Sequence, residues 1–301
     1  MTGPDGRPGA ALVVVNYASH DLLRANFAWT FGGAARVVVV DNHHSPAAAE
    51  SITALATEAG WELVALPDNA GFGAGVNAGA ARALALGCDP LLVVNPDVRL
   101  TAADVAALAS AVAADPDALV SPLVVDATGR PWAQLGRVDL RSGRLFTDDT
   151  GDGPAWLSGA CLGVSRRAWE RLGGMDADYF MYWEDVDLSV RAGRAGLGLR
   201  LLPEVRVVHD VGGTQTAAAG KSRNYYYYNC RNRLVFAGKL LTGRQFLRWL
   251  LLTPADVRRV TTRGRPPSRW FRLRAALPPS LAGCAAGSWW ALRNWRRGRR
   301  R

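Results

Sequence analysis

Leu91-Leu92-Val93-Val94-Asn95-Pro96-Asp97 is an apolar run that ends in a polar turn. A short, continuous apolar run bounded by turn residues fits a strand buried on both faces, as in a parallel sheet. Sheets of that kind bind ligands beyond the carboxyl ends of their strands, where Asp97 would stand. The pattern recurs. Ala11-Leu12-Val13-Val14-Val15 leads to Asn16-Tyr17, Arg36-Val37-Val38-Val39-Val40 to Asp41-Asn42, and Val205-Arg206-Val207-Val208 to His209. Trp61-Glu62-Leu63-Val64-Ala65-Leu66 and residues 119–125 add strands. Helical spacing between them predicts helices over 22–31, 47–59, a Gly-rich start at 69–79 continuing to Leu86, and 102–113, the last capped by Thr101. Strand and helix in alternation predict an α/β fold: a Rossmann-like, mostly parallel sheet with helices on both faces. Residues 126–154 break the alternation and read as a loop or hairpin insertion over the site. A helix over 185–195 stopped by Gly196 and short strands at 199–202 and 205–208 complete this part.

Charge divides the chain. The 301 residues carry a formal +10 and are 49% hydrophobic, enough for a sizeable core. From Lys221 to Arg301 there are 20 basic residues and one acid, Asp256, a net +19; the other 16 basic and 25 acidic residues give −9. The expected organisation is a flexible lead-in over 1–10, a folded α/β body over 11–220 and a basic, helical C-terminal extension over 221–301. Such a tail suits polyanions: phospholipid, lipid-linked diphosphate or nucleic acid. Residues 225–241 read as a helix. Residues 275–292 lack charge but contain Pro278-Pro279, too broken for a membrane span; an interface-seeking amphipathic extension is preferred over helices packed on the body. Cys88, Cys161, Cys230 and Cys284 form no CxxC pair, and the N-terminus lacks a signal-peptide core, so reduced thiols and a cytoplasmic location are expected.

The candidate chemistry lies at the strand ends. Asp97 can hold Mg2+ or Mn2+ against diphosphate oxygens, or simply close an Asn-Pro-Asp turn. Asn95 can donate to ribose or phosphate. Asp41 can accept from a base or a ribose hydroxyl, or cap the next helix. The glycines around Gly71, between Asn69 and Asn77, permit close backbone approach to a nucleotide. In Glu184-Asp185-Val186-Asp187 one acid can cap a helix, and Asp185 is the preferred general base for an acceptor hydroxyl. His209 is a structural histidine or the second protein ligand of a cation, with Gly212-Gly213-Thr214 beyond it as a phosphate-contacting loop. Trp156, Gly159 and Ala160 either line an acceptor pocket or form a close-packed core strand, with Glu184 expected on the same acceptor side. Arg223, Arg231 and Arg233 face diphosphate or solvent.

Taken in order, Val13-Val14-Val15-Asn16-Tyr17, Val39-Val40-Asp41-Asn42, Asn69-Ala70-Gly71-Phe72-Gly73-Ala74-Gly75-Val76-Asn77, Asn95-Pro96-Asp97, Ser158-Gly159-Ala160-Cys161-Leu162, Glu184-Asp185-Val186-Asp187-Leu188 and His209 resemble the family 2 glycosyltransferases of GT-A fold, in their bacterial rhamnosyl- and galactofuranosyltransferase-like branch. The resemblance implies a nucleoside-diphosphate-sugar donor (dTDP- or UDP-linked), Mg2+ or Mn2+, and inverting transfer to a hydroxyl, with a polyprenyl-diphosphate-linked glycan precursor as one acceptor class. It implies a nucleotide contact at Asp41, metal ligands at Asp97 and His209, and Asp185 as base; Asn16, Asn69, Gly71, Asn77, Asn95 and Asp97 are the further donor contacts expected. Asn95 stands where a full DxD motif has its first acid, and His43-His44-Ser45 replaces the usual Gly-Ser after Asp41-Asn42. No nucleic acid is expected as partner; the basic tail is expected on an anionic membrane, on its cytoplasmic face.

Three alternatives follow from the same residues. A nucleotidyltransferase would share the α/β layout and metal but needs a Gly-rich, basic loop after its first strand, where Asn16-Tyr17-Ala18-Ser19 stands. A non-catalytic polyanion- or membrane-binding protein would be led by the tail. A glycosyltransferase could also act on a soluble natural product.

Overall fold

The first strand, β1 (Ala10–Asn16), has every residue buried, as its unbroken apolar run requires. Around it the computed structural model, which describes residues 9–27, 35–210, 221–262 and 273–294, builds the following order: α1 (His20–Phe27), β2 (Ala35–Asp41), α2 (Pro46–Ala59), β3 (Glu62–Ala65), α3 (Phe72–Ala85), β4 (Leu91–Val94), β5 (Val98–Arg99), α4 (Ala102–Ala114), β6 (Ala118–Val125), β7 (Pro131–Ala133), β8 (Gly136–Asp139), β9 (Arg144–Phe146), β10 (Ala155–Trp156), β11 (Cys161–Val164), α5 (Arg166–Leu172), α6 (Glu184–Arg194), β12 (Gly198–His209), α7 (Arg223–Leu240), α8 (Gly243–Leu251), α9 (Thr253–Thr262) and α10 (Leu273–Asn294). Residues 1–8 of the lead-in expected over 1–10, the end of the first helix at 28–31 and the loop at Gly212-Gly213-Thr214 lie outside the described residues, while Ala10 already belongs to β1 and is buried.

The main sheet runs β3-β2-β1-β4-β11-β6-β12-β5, with β7 added beside β6. Strands β3, β2, β1 and β4 are mutually parallel; β11 is antiparallel to both β4 and β6, and β12 is parallel to β6. The carboxyl ends of β1, β2, β4 and β12 therefore share one edge, and the amino end of β11 opens on it. Alternate residues of β1 feed two cores: Leu12 and Val14 one, Ala11, Val13 and Val15 the other. This alternation is why helices cover both faces.

Three expectations are revised. The stretches at 199–202 and 205–208 are one strand, β12, whose pairing to β6 slips in register between Leu202 and Arg206; Pro203, which has no N–H for the ladder, lies at the slip. The glycines of α3 serve the sheet: a Cβ on Gly79 would sit 2.6 Å from a Val13 methyl and 2.8 Å from one of Val40, and a Cβ on Gly75 would sit 2.9 Å from Val15. The C-terminal helices also pack on the body. Val235, Phe236, Ala237, Phe246, Trp249 and Ala291 share a core with Val138, Trp156, Tyr179, Trp183, Val186 and Val190. The packed arrangement, set second from sequence, describes α7 and the inner side of α10.

Gly79→Ala should destabilise the protein, because valine cannot swing its methyl groups aside. Overpacking of this kind costs about 1–3 kcal/mol; a lower urea midpoint at unchanged m-value checks it, and an unchanged midpoint contradicts the close helix–sheet contact.

Candidate active site

Backbone hydrogen bonds bring the strand-end residues together. Asn95 follows β4, and its N–H donates to the Ala160 carbonyl at 2.9 Å, extending the β4–β11 ladder past the sheet. One residue earlier, the Gly159 N–H donates to Asp185 Oδ2 at 3.0 Å. The other oxygen, Asp185 Oδ1, accepts from the Val186 N–H at 2.8 Å. The turn carrying Asp97 and the helix end carrying Asp185 are thus joined through Gly159-Ala160. A Cβ on Gly159 would lie 3.3 Å from Asp185 Cβ and 3.6 Å from Phe72, so the three segments meet closely at this glycine.

Asp97 and His209 meet directly. Strand β5 pairs with the end of β12, setting Val98 opposite His209, and His209 Nε2 lies 2.9 Å from Asp97 Oδ1 with both residues buried. Trp132 of β7 meets the imidazole edge to face at 4.3 Å, and His209 Nδ1 has no partner among the described residues. The pair fits a divalent cation. Ligands adjacent in an octahedral shell with bonds of about 2.1 Å lie about 3 Å apart; a carboxylate oxygen suits Mg2+ or Mn2+, and an imidazole favours Mn2+ of the two. No group of three or more His, Cys, Asp or Glu side chains forms a metal site among the described residues. The remaining ligands would be water and diphosphate oxygens, as is usual for hard cations on phosphates.

On the other side of β4, Asn16 and Asp41 are register partners, both buried, with Asn16 Nδ2 3.4 Å from Asp41 Oδ1. Asn42 Oδ1 accepts from the Ala70 N–H and Asn69 Oδ1 from the Gly71 N–H, which folds the 69–71 turn against the same edge. Gly71 has φ 88°, and its missing side chain makes room for the Phe180 carbonyl, which accepts from the Phe72 N–H at 2.7 Å.

Several expected ligand contacts are architectural here. Asn77 spends both ends of its amide on the Met175 backbone, at 2.7 and 2.9 Å. Trp156 is buried, its indole N–H donating to the Phe146 carbonyl at 3.0 Å, so its ring serves the core. Ala160 is buried in the sheet core. Asp187 is buried and paired with Arg191 at 2.6 Å. Arg231 donates to the Asp178 carbonyl, and Arg233 lies buried between Asp256 and the Trp249 ring. Cys161 is fully buried and its thiol is pushed up to about 12 by that burial, which removes it as a nucleophile.

Electrostatics single out the start of α6. Glu184, Asp185 and Asp187 all fall in its first turn, where the dipole favours negative charge. Burial raises Asp185 above the ordinary aspartate range, against the lowering effect of its two N–H donors. Glu184 is raised well above its usual range by burial and then by the charge of Asp185; it is 7% exposed, and its Oε2 has no partner among the described residues. The turn before it is strained: Tyr182 and Trp183 have φ 66° and 77°, and Asn232 of α7 holds it by donating to the carbonyls of Met181 and Tyr182. Asn232, Phe180 and Trp132 carried no signal in the sequence, since each acts through a long-range contact.

Known proteins resemble this chain in sequence and in fold. The family model described as glycosyl transferase family group 2 matches residues 92–291. An N-acetylglucosaminyl-diphospho-decaprenol L-rhamnosyltransferase of Mycobacterium tuberculosis is 33% identical over 149 residues, 40% of this chain and 47% of that protein, so the chain spans about half the relative's length. The low-salt glycan biosynthesis hexosyltransferase Agl10 of Haloferax volcanii is 23% identical over 244 residues, covering 77% of this chain and 76% of that one. Among solved structures, the mannosyltransferase PcManGT of Pyrobaculum calidifontis, in complex with GDP-Man and Mn2+, aligns with TM-score 0.55 at 16% identity, over 98% of this chain and 89% of that one. At that identity the likeness shows the fold, which is GT-A.

Glu184→Gln tests the buried acid. A carboxyl with a raised folded-state pKa adds stability below its unfolded pKa and loses it as pH rises through the folded value. Glutamine has no such loss. The melting temperature of the variant relative to the parent should therefore rise between about pH 4 and neutrality; a difference flat across pH contradicts the buried, raised carboxyl.

Proposed function

The chain belongs to glycosyl transferase family group 2, and from that premise we propose that it is an inverting, metal-dependent glycosyltransferase. The observation that carries the reading is the half-buried Asp185 carboxylate, held by the Gly159 N–H on the edge that also bears the Asp97–His209 pair. An acceptor hydroxyl is too weak an acid to ionise beforehand, so a base helps by taking its proton while the new bond forms. Asp185 takes that proton. The acceptor oxygen bonds to the anomeric carbon from the face opposite the leaving group, and the bond from that carbon to the diphosphate oxygen breaks. One such displacement inverts the anomeric centre. A divalent cation held by Asp97 and His209 would neutralise charge gathering on the departing nucleoside diphosphate.

Asn16, Asp41, Asn69 and Asn95 line the donor side of this reading, with Asp41 reaching base or ribose; Gly71, expected there as well, is buried and gives its N–H and carbonyl to Asn69 and Gly75. A dTDP- or UDP-sugar is the donor class, and Mn2+ or Mg2+ the ion. Gly159 and Glu184 border the acceptor side. The rhamnosyltransferase relative is named for a decaprenol-diphosphate acceptor. That name, with the +19 C-terminal segment, supports a lipid-linked glycan precursor as acceptor and a peripheral site on an anionic membrane. No helix among the described residues is long and apolar enough to cross a membrane.

Asp185→Asn should lower turnover by at least about a hundredfold while leaving nucleotide-sugar binding largely intact. Donor binding followed by thermal shift with Mn2+, beside a transfer assay, separates the two effects; full activity removes Asp185 from the mechanism. The parent's kcat/KM should fall on the acid side with a midpoint above the ordinary aspartate value, because the proton Asp185 must lose is held more tightly by its burial. A midpoint at or below that value contradicts the assignment.

A further inference from the structure

Helix α10 turns Trp290 toward the body's core but carries Leu277, Leu281, Trp289 and Leu292 on the outside. Its inner face, against α7, is made of small residues: Ala276, Gly283, Cys284, Gly287 and Ala291 are buried. A Cβ on Gly283 or Gly287 would run into the backbone carbonyls of Tyr227 and Arg231, so the helices meet backbone to backbone. Leu277, Leu281, Trp289 and Leu292 point away from that contact and are exposed, Leu281 at 59% and Trp289 at 60%. This outer face has no charged residue from 277 to 292, a length of about 22 Å at 1.5 Å per residue. Arg274 and Arg293 flank it, with the Arg293 guanidinium 5.0 Å from the centre of the Trp289 ring.

A folded chain ordinarily buries such side chains. Large apolar side chains gathered on one exposed face mark an interaction surface. Helix α8 repeats the composition: Arg244, Leu247, Arg248 and Leu251 are exposed at one-face helical spacing, while Phe246 and Trp249 are buried. Among the described residues, the large hydrophobic side chains left exposed are Tyr17 and those on these two helices.

Charge selects the occupant. The segment from 221 to 301 has one acid, and that residue, Asp256, is buried against Arg233 and Arg259. The outer surface of these helices therefore offers leucine, tryptophan and arginine with no carboxylate. That is complementary to an anionic phospholipid surface: the apolar face enters the acyl boundary and the arginines reach the headgroups. We propose that the outer face of α10 seats this protein on an anionic bilayer, the helix lying along the interface, with the Arg-Leu face of α8 as a second contact. The proposal deepens the lipid-linked acceptor reading above and rests on it for its purpose.

The test uses the full-length protein and flotation with phosphatidylcholine vesicles, with and without phosphatidylglycerol. The parent should float with the anionic vesicles and less with neutral ones. Leu281→Asn combined with Trp289→Gln keeps the charge unchanged and should lower partitioning about tenfold or more, at the parent's melting temperature. Should that pair melt early, Leu292→Gln alone must still weaken flotation. Parent-like flotation of these variants, or no flotation of the parent, overturns the proposal. So does a dimer in sedimentation that the double substitution abolishes while vesicle binding persists, which would make a second copy the occupant. The assay contains neither donor nor acceptor, and Asp185→Asn should float like the parent, so failure of the catalytic reading would leave this result standing.

Discussion

Strand β11 runs against its neighbours, and the site depends on that reversal. The strands β1, β2, β4 and β12 all end at one edge; because β11 is antiparallel to β4, it begins there. Ser158-Gly159-Ala160 therefore enters beside Asn95-Pro96-Asp97, and the Asn95 N–H to Ala160 carbonyl bond fixes the two segments in register. With β11 parallel, Gly159 would emerge at the opposite edge and Asp185 would have no tie to the Asp97 turn. Burial of both faces of the sheet locks this pairing, since a one-residue slip would turn the alternating core positions to the wrong face.

The C-terminal helices belong to the same construction. Left-handed backbone at Tyr182 and Trp183 costs on the order of 1–3 kcal/mol each for residues with side chains. It persists because Asn232 holds the carbonyls of Met181 and Tyr182 while Trp183 packs among Phe236 and Trp249. The strain turns the chain sharply enough to start α6 with three acids in its first turn. The region from 221 onward thus positions Asp185 from within the fold, through residues far from it in sequence.

This division explains what the sequence made legible. Buried parallel strands announce themselves as unbroken apolar runs, so the strand ends at Asn16, Asp41, Asn95 and His209 could be placed, and with them the edge. The acidic start of α6 was legible from Glu184-Asp185-Val186-Asp187. The glycines of α3 misled, because a glycine that admits a ligand and one that admits a valine methyl look alike until the helix is docked. Asn77 and Trp156 misled for a related reason: polar and aromatic side chains beside a site serve its scaffold as readily as its ligand. The single strand β12 looked like two because the slip at Pro203 interrupts its alternation. Trp132 and Asn232 were invisible, since their contacts, with His209 and with residues 181–182, span long sequence separations.

In the proposed mechanism Asp97 and His209, 112 positions apart in the chain, act as one cation-binding unit on the donor's diphosphate. Calorimetric titration of Mn2+ into the protein saturated with a nucleoside diphosphate tests it most directly, with the parent beside Asp97→Asn, His209→Ala and the double variant. Either single change should remove most of the Mn2+ affinity and the second should add little, because each ligand is of use only with the other. Parent-like Mn2+ binding in both single variants, with their folds intact, would contradict it.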